Sequence, residues 1–384
     1  MYIPYARQTI SDEDIAAVIT ALKSDWLTQG PLISEFEKAV ADYCGAKYAV
    51  AVSSGTAALH IACLSIGLIQ GRRGWTTPLT FAATANSILY CGAMIDFIDI
   101  SPKTLNISIP ALKDRLIYSL KTCDSPNVLI PVHFSGLSCD MEEIYGLSKD
   151  YGFKIIEDAC HAIGGTYKET KVGSCKFSDM TVFSFHATKN CTTGEGGMVM
   201  TNDEELYQKL IRYRTHGITR DPKFMTSVPS GSWYYQQTEL GFNYRITDIQ
   251  AALGISQLKR LDQFNAKRNE LANRYDKAFS GLPVILPPRM DGVYSPFHLY
   301  VIRLNGVNKT RKEVFEYMKD ANIGTNVHYI PVHLHPYYQE IGFKGKSFPE
   351  AERYYETALT LPLFPTLTIS DQDRVINSLY KALS

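Results

Sequence analysis

The chain has 384 residues, enough for about two domains. Apolar residues make up 45% and charged residues 20%, and Lys+Arg and Asp+Glu each number 39, so the formal net charge is zero. That balance argues against a general nucleic-acid or acidic-membrane binder, while leaving room for a local phosphate pocket. The 8 cysteines are scattered, with no CxxC pair. Free thiols in a reducing cytoplasm fit this better than a disulfide-stapled secreted domain. Met1-Tyr2-Ile3-Pro4-Tyr5 lacks the basic-then-apolar pattern of a signal peptide. Two stretches carry no charge, Tyr48 to Gly71 and Gly74 to Ile95. Their Ser, Thr, Asn, His and Pro content reads as buried α/β interior rather than membrane span.

In chain order, Ser11 with Asp14 and Ser34 with Glu37 are N-cap patterns that open short amphipathic helices. Lys47 to Val52 reads as a strand broken at Ser53-Ser54-Gly55, and an Ala/Leu-rich helix follows from about Thr56 to Ile66. Further apolar strands are expected at Met94–Ile98, Val128–Val132, Phe153–Ile156 and Met180–Phe185, with Asp140 capping a helix that ends near Tyr151-Gly152. The alternation predicts an α/β fold with a mostly parallel sheet covered on both faces. After about Arg245 the pattern changes. One long helix is expected from Thr247 through Phe279, then a Pro-rich break and a smaller α+β unit. That unit has a strand at His298–Leu304, a helix at Lys312–Lys319, a strand at Gly324–Tyr329 and C-terminal helices. The expected domains are therefore residues 1–245 and 246–384.

Three segments carry chemistry. Ile155 to Asp158 is an apolar strand ending in a carboxylate, at the sheet edge where open α/β folds bind ligands. A turn or N-cap role for Asp158 is the commoner use of such a residue. Val182 to Phe185 runs into His186-Ala187-Thr188-Lys189, where a desolvated lysine would favour its neutral, nucleophilic form. Most single lysines are instead solvated surface residues. Ser53-Ser54-Gly55-Thr56-Ala57 leads a strand into a helix whose free N–H groups and dipole suit a phosphate. Each signal is weak alone. Together they match pyridoxal 5′-phosphate, which needs a phosphate cradle, an amine for its aldehyde and a carboxylate for its pyridine nitrogen.

The sequence resembles the nucleotide-sugar aminotransferases, pyridoxal-phosphate enzymes of the aspartate-aminotransferase-like fold (fold type I). The matching stretches are Trp26 to Pro31, Ser53 to Leu59, Thr77 to Thr84, Glu157 to Ala162, Phe183 to Lys189, Gly194 to Gly197 and Gly241 to Ala251. They span nearly the whole chain. Four features are similar to the branch serving pseudaminic acid biosynthesis: Pro131 to Gly136, His161, Thr215 to Arg220, and Asn326 to His333. That branch aminates C4 of a UDP-linked 4-keto-6-deoxy-N-acetyl hexose.

The resemblance implies the following roles. Lys189 is the Schiff-base lysine and proton shuttle, and Asp158 pairs with the pyridine nitrogen. His161 sits near the ring hydroxyl, and Phe81 stacks on the ring. Gly55, Thr56, Ala57 and Ser184 hold the phosphate, completed by Asn243 from the partner of a homodimer. His328 and Tyr329 belong to the sugar pocket, with no zinc site among His328, His333 and His335. Arg245 is a candidate for the donor's carboxylate, since Arg matches carboxylates with two parallel hydrogen bonds. The expected substrates are the UDP-keto-sugar and L-glutamate, in the cytoplasm. From composition alone, Phe81 could be core, Asn243 a turn residue and Arg245 half of an ion pair. A sugar dehydratase of the same family, with His at the lysine position, and a cofactor-binding regulator without turnover are the competing readings. One departure stands out: Gly71-Arg72-Arg73-Gly74-Trp75 replaces the Gly-Asp-x-Val usual in relatives, which puts the local turn and the start of the next strand in doubt.

Overall fold

The computed structural model describes residues 1–384. Seven strands form one sheet: β1 (Tyr48–Val52), β2 (Arg73–Thr76), β3 (Met94–Phe97), β4 (Val128–Leu129), β5 (Lys154–Asp158), β6 (Met180–Ser184) and β7 (Gly197–Thr201). Their spatial order is β1-β7-β6-β5-β4-β2-β3. From β3 through β6 the neighbours run parallel, whereas β7 is antiparallel to both β6 and β1. Strand side chains alternate between faces, and both faces are covered. Val50 and Val52 pack with Ala58 and Ile61 of the helix Gly55–Ser65, while Ala49 and Ala51 pack with Phe36 and Val40 of the helix Pro31–Cys44. The two uncharged stretches are this buried interior, and no helix is long and apolar enough to cross a membrane.

Most expected elements form within a residue or two, and the exceptions have local causes. Ser11 caps Asp12–Leu22 through a full capping box with Asp14. Ser34, expected as a cap, lies inside a helix that starts three residues earlier, with Gly30 as N-cap and Pro31 supplying the preset φ of a first helical turn. The doubtful Arg72-Arg73-Gly74 region still makes β2, paired with β3 and β4. Strand β7 was not foreseen as a strand.

The long helix expected from Thr247 to Phe279 is two helices, Asp248–Leu258 and Leu261–Phe279. Arg260 leaves helical geometry (φ −110°, ψ 2°), and its guanidinium pairs with the buried carboxylate of Asp14. The C-terminal unit holds an antiparallel sheet of Val284–Ile285, Tyr300–Leu304 and Ala358–Leu361. The helix expected at Lys312–Lys319 runs Arg311–Asp320 behind a Thr310–Glu313 capping box. The strand expected at Gly324–Tyr329 does not form. Only Asn326 bridges Thr360, and the Val327 N–H turns back to Asn326 Oδ1 (2.8 Å), which removes it from any ladder.

Residues near the start of the chain belong to this C-terminal packing. Ile3 pairs with Ile323 and joins its apolar cluster, and Tyr5 C=O accepts the Leu363 N–H.

Candidate active site

The C-terminal ends of β1, β5 and β6 converge on one cavity of about 910 Å³. After β1 the chain turns at Ser53-Ser54 into the helix Gly55–Ser65. Ser54 is the N-cap and its Oγ accepts the Ala57 N–H (3.1 Å). The N–H groups of Gly55 and Thr56, both cavity-lining, have no backbone partner and keep the positive end of the helix available to an anion. Ala57 lies just below, its N–H already used. A Cβ on Gly55 would stand 2.9 Å from Ser184 Cβ and 3.2 Å from its Oγ, so the glycine lets β6 and the turn close together. Gly197 does the same from β7: a Cβ there would meet Ser54 O at 2.3 Å and Gly55 N at 2.7 Å. Gly197→Ala is therefore expected to displace the turn backbone. It should cost about 1–3 kcal/mol of stability, read as a lower Tm, and weaken retention of any phosphate ligand.

At the end of β5 two adjacent carboxylates face opposite sides of the sheet. Glu157 points away from the cavity into a closed network. It accepts from Ser178 Oγ (2.5 Å) and Thr181 Oγ1 (3.0 Å) and pairs with His133 Nε2 (2.7 Å). His133 Nδ1 accepts the Cys139 N–H (3.1 Å), so its proton sits on Nε2. Asp158 points into the cavity and is 6% exposed. Thr84 Oγ1 donates to Asp158 Oδ2 (2.6 Å), and the Cys160 N–H donates to Oδ1 (3.1 Å). Thr80, 2.7 Å from Thr84 Oγ1, must then donate to it. Asp158 is thus a fixed carboxylate with a lone pair left for a ligand. Thr84→Val would leave Oδ2 without its donor. The expected cost is about 1–3 kcal/mol, measured as faster loss of a ligand held by Asp158.

Lys189 follows β6 on a short polar loop and is the cavity's only lysine. Burial holds its amine below the usual lysine range, opposed by Cys160 and Asp158. His161 and Tyr329 complete the wall. Ser135 N–H donates to His161 Nδ1 (3.3 Å), so the neutral ring carries its proton on Nε2 and donates to Tyr329 Oη (3.2 Å). Burial, with Lys189 and His328 close by, holds His161 well below the usual histidine range, which keeps it neutral. Phe81 is 59% exposed and lines the cavity, so it is not core.

His328 also lines the cavity, its Nδ1 paired with Thr360 Oγ1 at 2.8 Å. His333 is elsewhere, paired with Glu352 (3.0 Å). Asn243 and Arg245 are not on this wall. Asn243 is exposed and bridges Thr215, while Arg245 is half-buried and bridges Val52, beside the Ser53 turn.

Residues 8–380 match the DegT/DnrJ/EryC1/StrS aminotransferase family. The chain belongs to that family. It is 43% identical over 383 residues to the spore coat polysaccharide biosynthesis protein SpsC of Bacillus subtilis, covering 98% of this chain and 96% of SpsC. It is 39% identical over 383 residues to the UDP-4-amino-4,6-dideoxy-N-acetyl-beta-L-altrosamine transaminase of Campylobacter jejuni, covering 99% and 97%. The solved structure of Helicobacter pylori PseC, an aminotransferase in pseudaminic acid biosynthesis, superposes with a TM-score of 0.90 at 30% identity, covering 100% and 99%. The fold is that of the type I pyridoxal-phosphate enzymes, and this chain is a pyridoxal-phosphate-dependent sugar aminotransferase acting on nucleotide sugars. The residues present fit that cofactor: an open helix N-terminus, a buried carboxylate with spare acceptor capacity, and a desolvated amine line one cavity.

Among the wall residues without a sequence signal are Thr84 and His298. Thr84 lies within a matching stretch that implies no role for it. His298, expected as the first residue of a strand, precedes that strand and lines the cavity.

Proposed function

We propose that the enzyme transfers an amino group from L-glutamate to C4 of a UDP-linked 4-keto-6-deoxy-N-acetyl hexose, the step found in pseudaminic acid biosynthesis. The observation that carries the transfer chemistry is the convergence of Lys189, Asp158 and the Gly55–Thr56 turn on one cavity. The choice of sugar is supported by the likeness to the Campylobacter transaminase and to PseC.

Bound pyridoxal phosphate supplies an aldehyde that bonds covalently to amines and a ring that accepts the electrons of a broken Cα–H bond. The protein does the rest. Gly55 and Thr56 N–H groups and Ser184 Oγ hold the phosphate. Asp158, fixed by Thr84 and Cys160, would stabilise positive charge on the ring nitrogen. Phe81 would pack against the bound ring, and His161, which donates to Tyr329, would lie near the ring hydroxyl. Lys189, with its amine free, would take the proton from the donor's Cα and give it to the cofactor's aldehyde carbon, a task its lowered affinity for protons suits. Asn243 of the partner subunit completes the phosphate site in a homodimer, in keeping with its exposure away from its own cavity. His328 and Tyr329 face the sugar, and Arg245, which lies off this wall, is given no contact with the donor.

The likeness to SpsC, at a higher identity, favours a second reading: the same chemistry on a different nucleotide keto-sugar. A panel of UDP- and dTDP-linked keto-sugars, with mass detection of the aminated product, decides between them. Amination of another sugar with none of the 4-keto-6-deoxy-N-acetyl hexose would overturn the first.

A further inference from the structure

His298 stands on the cavity wall, 5% exposed, with its ring 4.4 Å from that of His161. Its protonation pattern can be read from its neighbours. Asn190, next to Lys189 in the chain and 5% exposed, places its amide Nδ2 3.0 Å from Pro296 O and 2.8 Å from Asn265 Oδ1. A carbonyl oxygen only accepts, so Nδ2 is fixed as the donor end. Asn265 is oriented in the same way, its own Nδ2 donating to Ile163 O (3.2 Å). The Oδ1 of Asn190 therefore faces His298 Nδ1 at 3.3 Å, and Nδ1 must carry the proton there. That leaves Nε2 a bare lone pair with no partner in the chain, on a ring that lines the cavity. Burial above all, with Lys189, His161, Arg268 and His328 beside it, holds the ring well below the usual histidine range.

We infer that His298 is a sugar-recognition residue, whose Nε2 accepts a hydrogen from a hydroxyl or acylamino N–H of the bound keto-sugar, with Asn190 as the positioning residue that fixes its tautomer. The inference rests on the proposed amine transfer to a nucleotide keto-sugar. Its geometry has two ends. His161 and Tyr329 pass a hydrogen toward the cavity, and His298 offers the complementary acceptor beside them. A buried, desolvated acceptor rejects a ligand that cannot donate to it more strongly than an apolar wall would. Because Asn190 adjoins Lys189, the reading acceptor and the reacting amine are fixed to the same short segment.

The two half-reactions can be followed separately on the purified holoenzyme. The donor half is followed by the absorbance change with L-glutamate, and the sugar half by aminated product from UDP-2-acetamido-2,6-dideoxy-4-keto-hexose. His298→Phe keeps an aromatic ring against His161 but removes the acceptor. The expected result is a sugar-half efficiency reduced about 10–100-fold, mostly through KM, with a loss at least tenfold greater than in the donor half. His298→Gln, which can present an amide oxygen, should recover part of it. It also carries the test if the Phe variant fails to fold, as its sugar half should then still fall more than its donor half. Equal losses in both halves, or none in the sugar half, would overturn the inference. A wild-type control that aminates no keto-sugar would instead overturn the proposed function.

Discussion

Lys189→Ala is expected to stop amine transfer. Lys189 is the single lysine on the cavity wall, and nothing else there combines an amine with the lowered proton affinity that burial gives it. Loss of its proposed proton transfer alone predicts a fall of about 10²–10⁴-fold, and loss of its proposed bond to the cofactor aldehyde adds to that. Release of 2-oxoglutarate from L-glutamate in the presence of the keto-sugar measures the first effect. Borohydride reduction followed by peptide mapping measures the second: the wild type should carry the label at Lys189 and the variant none. Turnover by the variant within tenfold of wild type would refute the assignment. The lysine also bears on the dehydratase alternative, whose relatives carry histidine at this position.

Asp158→Asn is the second large effect. The carboxylate is 6% exposed and held by two donors, Thr84 Oγ1 and the Cys160 N–H. The substitution keeps the size but removes the charge, and its NH₂ faces at least one of those donors. A ring nitrogen opposite a neutral amide loses its proton and with it most of the ring's capacity to accept electrons. Removal of such a preorganised electrostatic partner costs on the order of 10²–10³-fold in kcat. The variant should still take up pyridoxal phosphate, because the helix N-terminus proposed to meet the phosphate is untouched. A near-normal kcat, with the fold verified by circular dichroism, would remove Asp158 from the proposed mechanism.

Much of this site was legible because its parts lie at the ends of strands, where a run of apolar residues stops at a polar one. Asp158 after Ile155-Ile156, Lys189 after β6 and the Ser53-Ser54-Gly55 break each follow that rule, and all line the same cavity. What stayed hidden depends on distant partners. Gly197–Thr201 is a strand because β1 and β6 flank it, and a Gly-Gly start gave no local sign of that. The break at Arg260 is tied to Asp14, near the other end of the chain. The strand expected at Gly324–Tyr329 was lost to a side-chain bond that Asn326 makes with its neighbour's backbone. His298 was absorbed into an apolar run, and only Asn190 and Asn265, from two separate segments, show which nitrogen is free.

The strap at Ile3 and Tyr5 sets an order of events. Tyr5 lines the cavity, yet Ile3 and Tyr5 are held by Ile323 and Leu363. A ribosome releases the first pair long before the second exists. The part of the wall that Tyr5 forms can therefore settle only after Leu363 has been made, and contacts so far apart along the polymer are slow to find. Until then the cofactor's pocket stands open on one side, so a nascent or truncated chain would have the parts of the site without its enclosure.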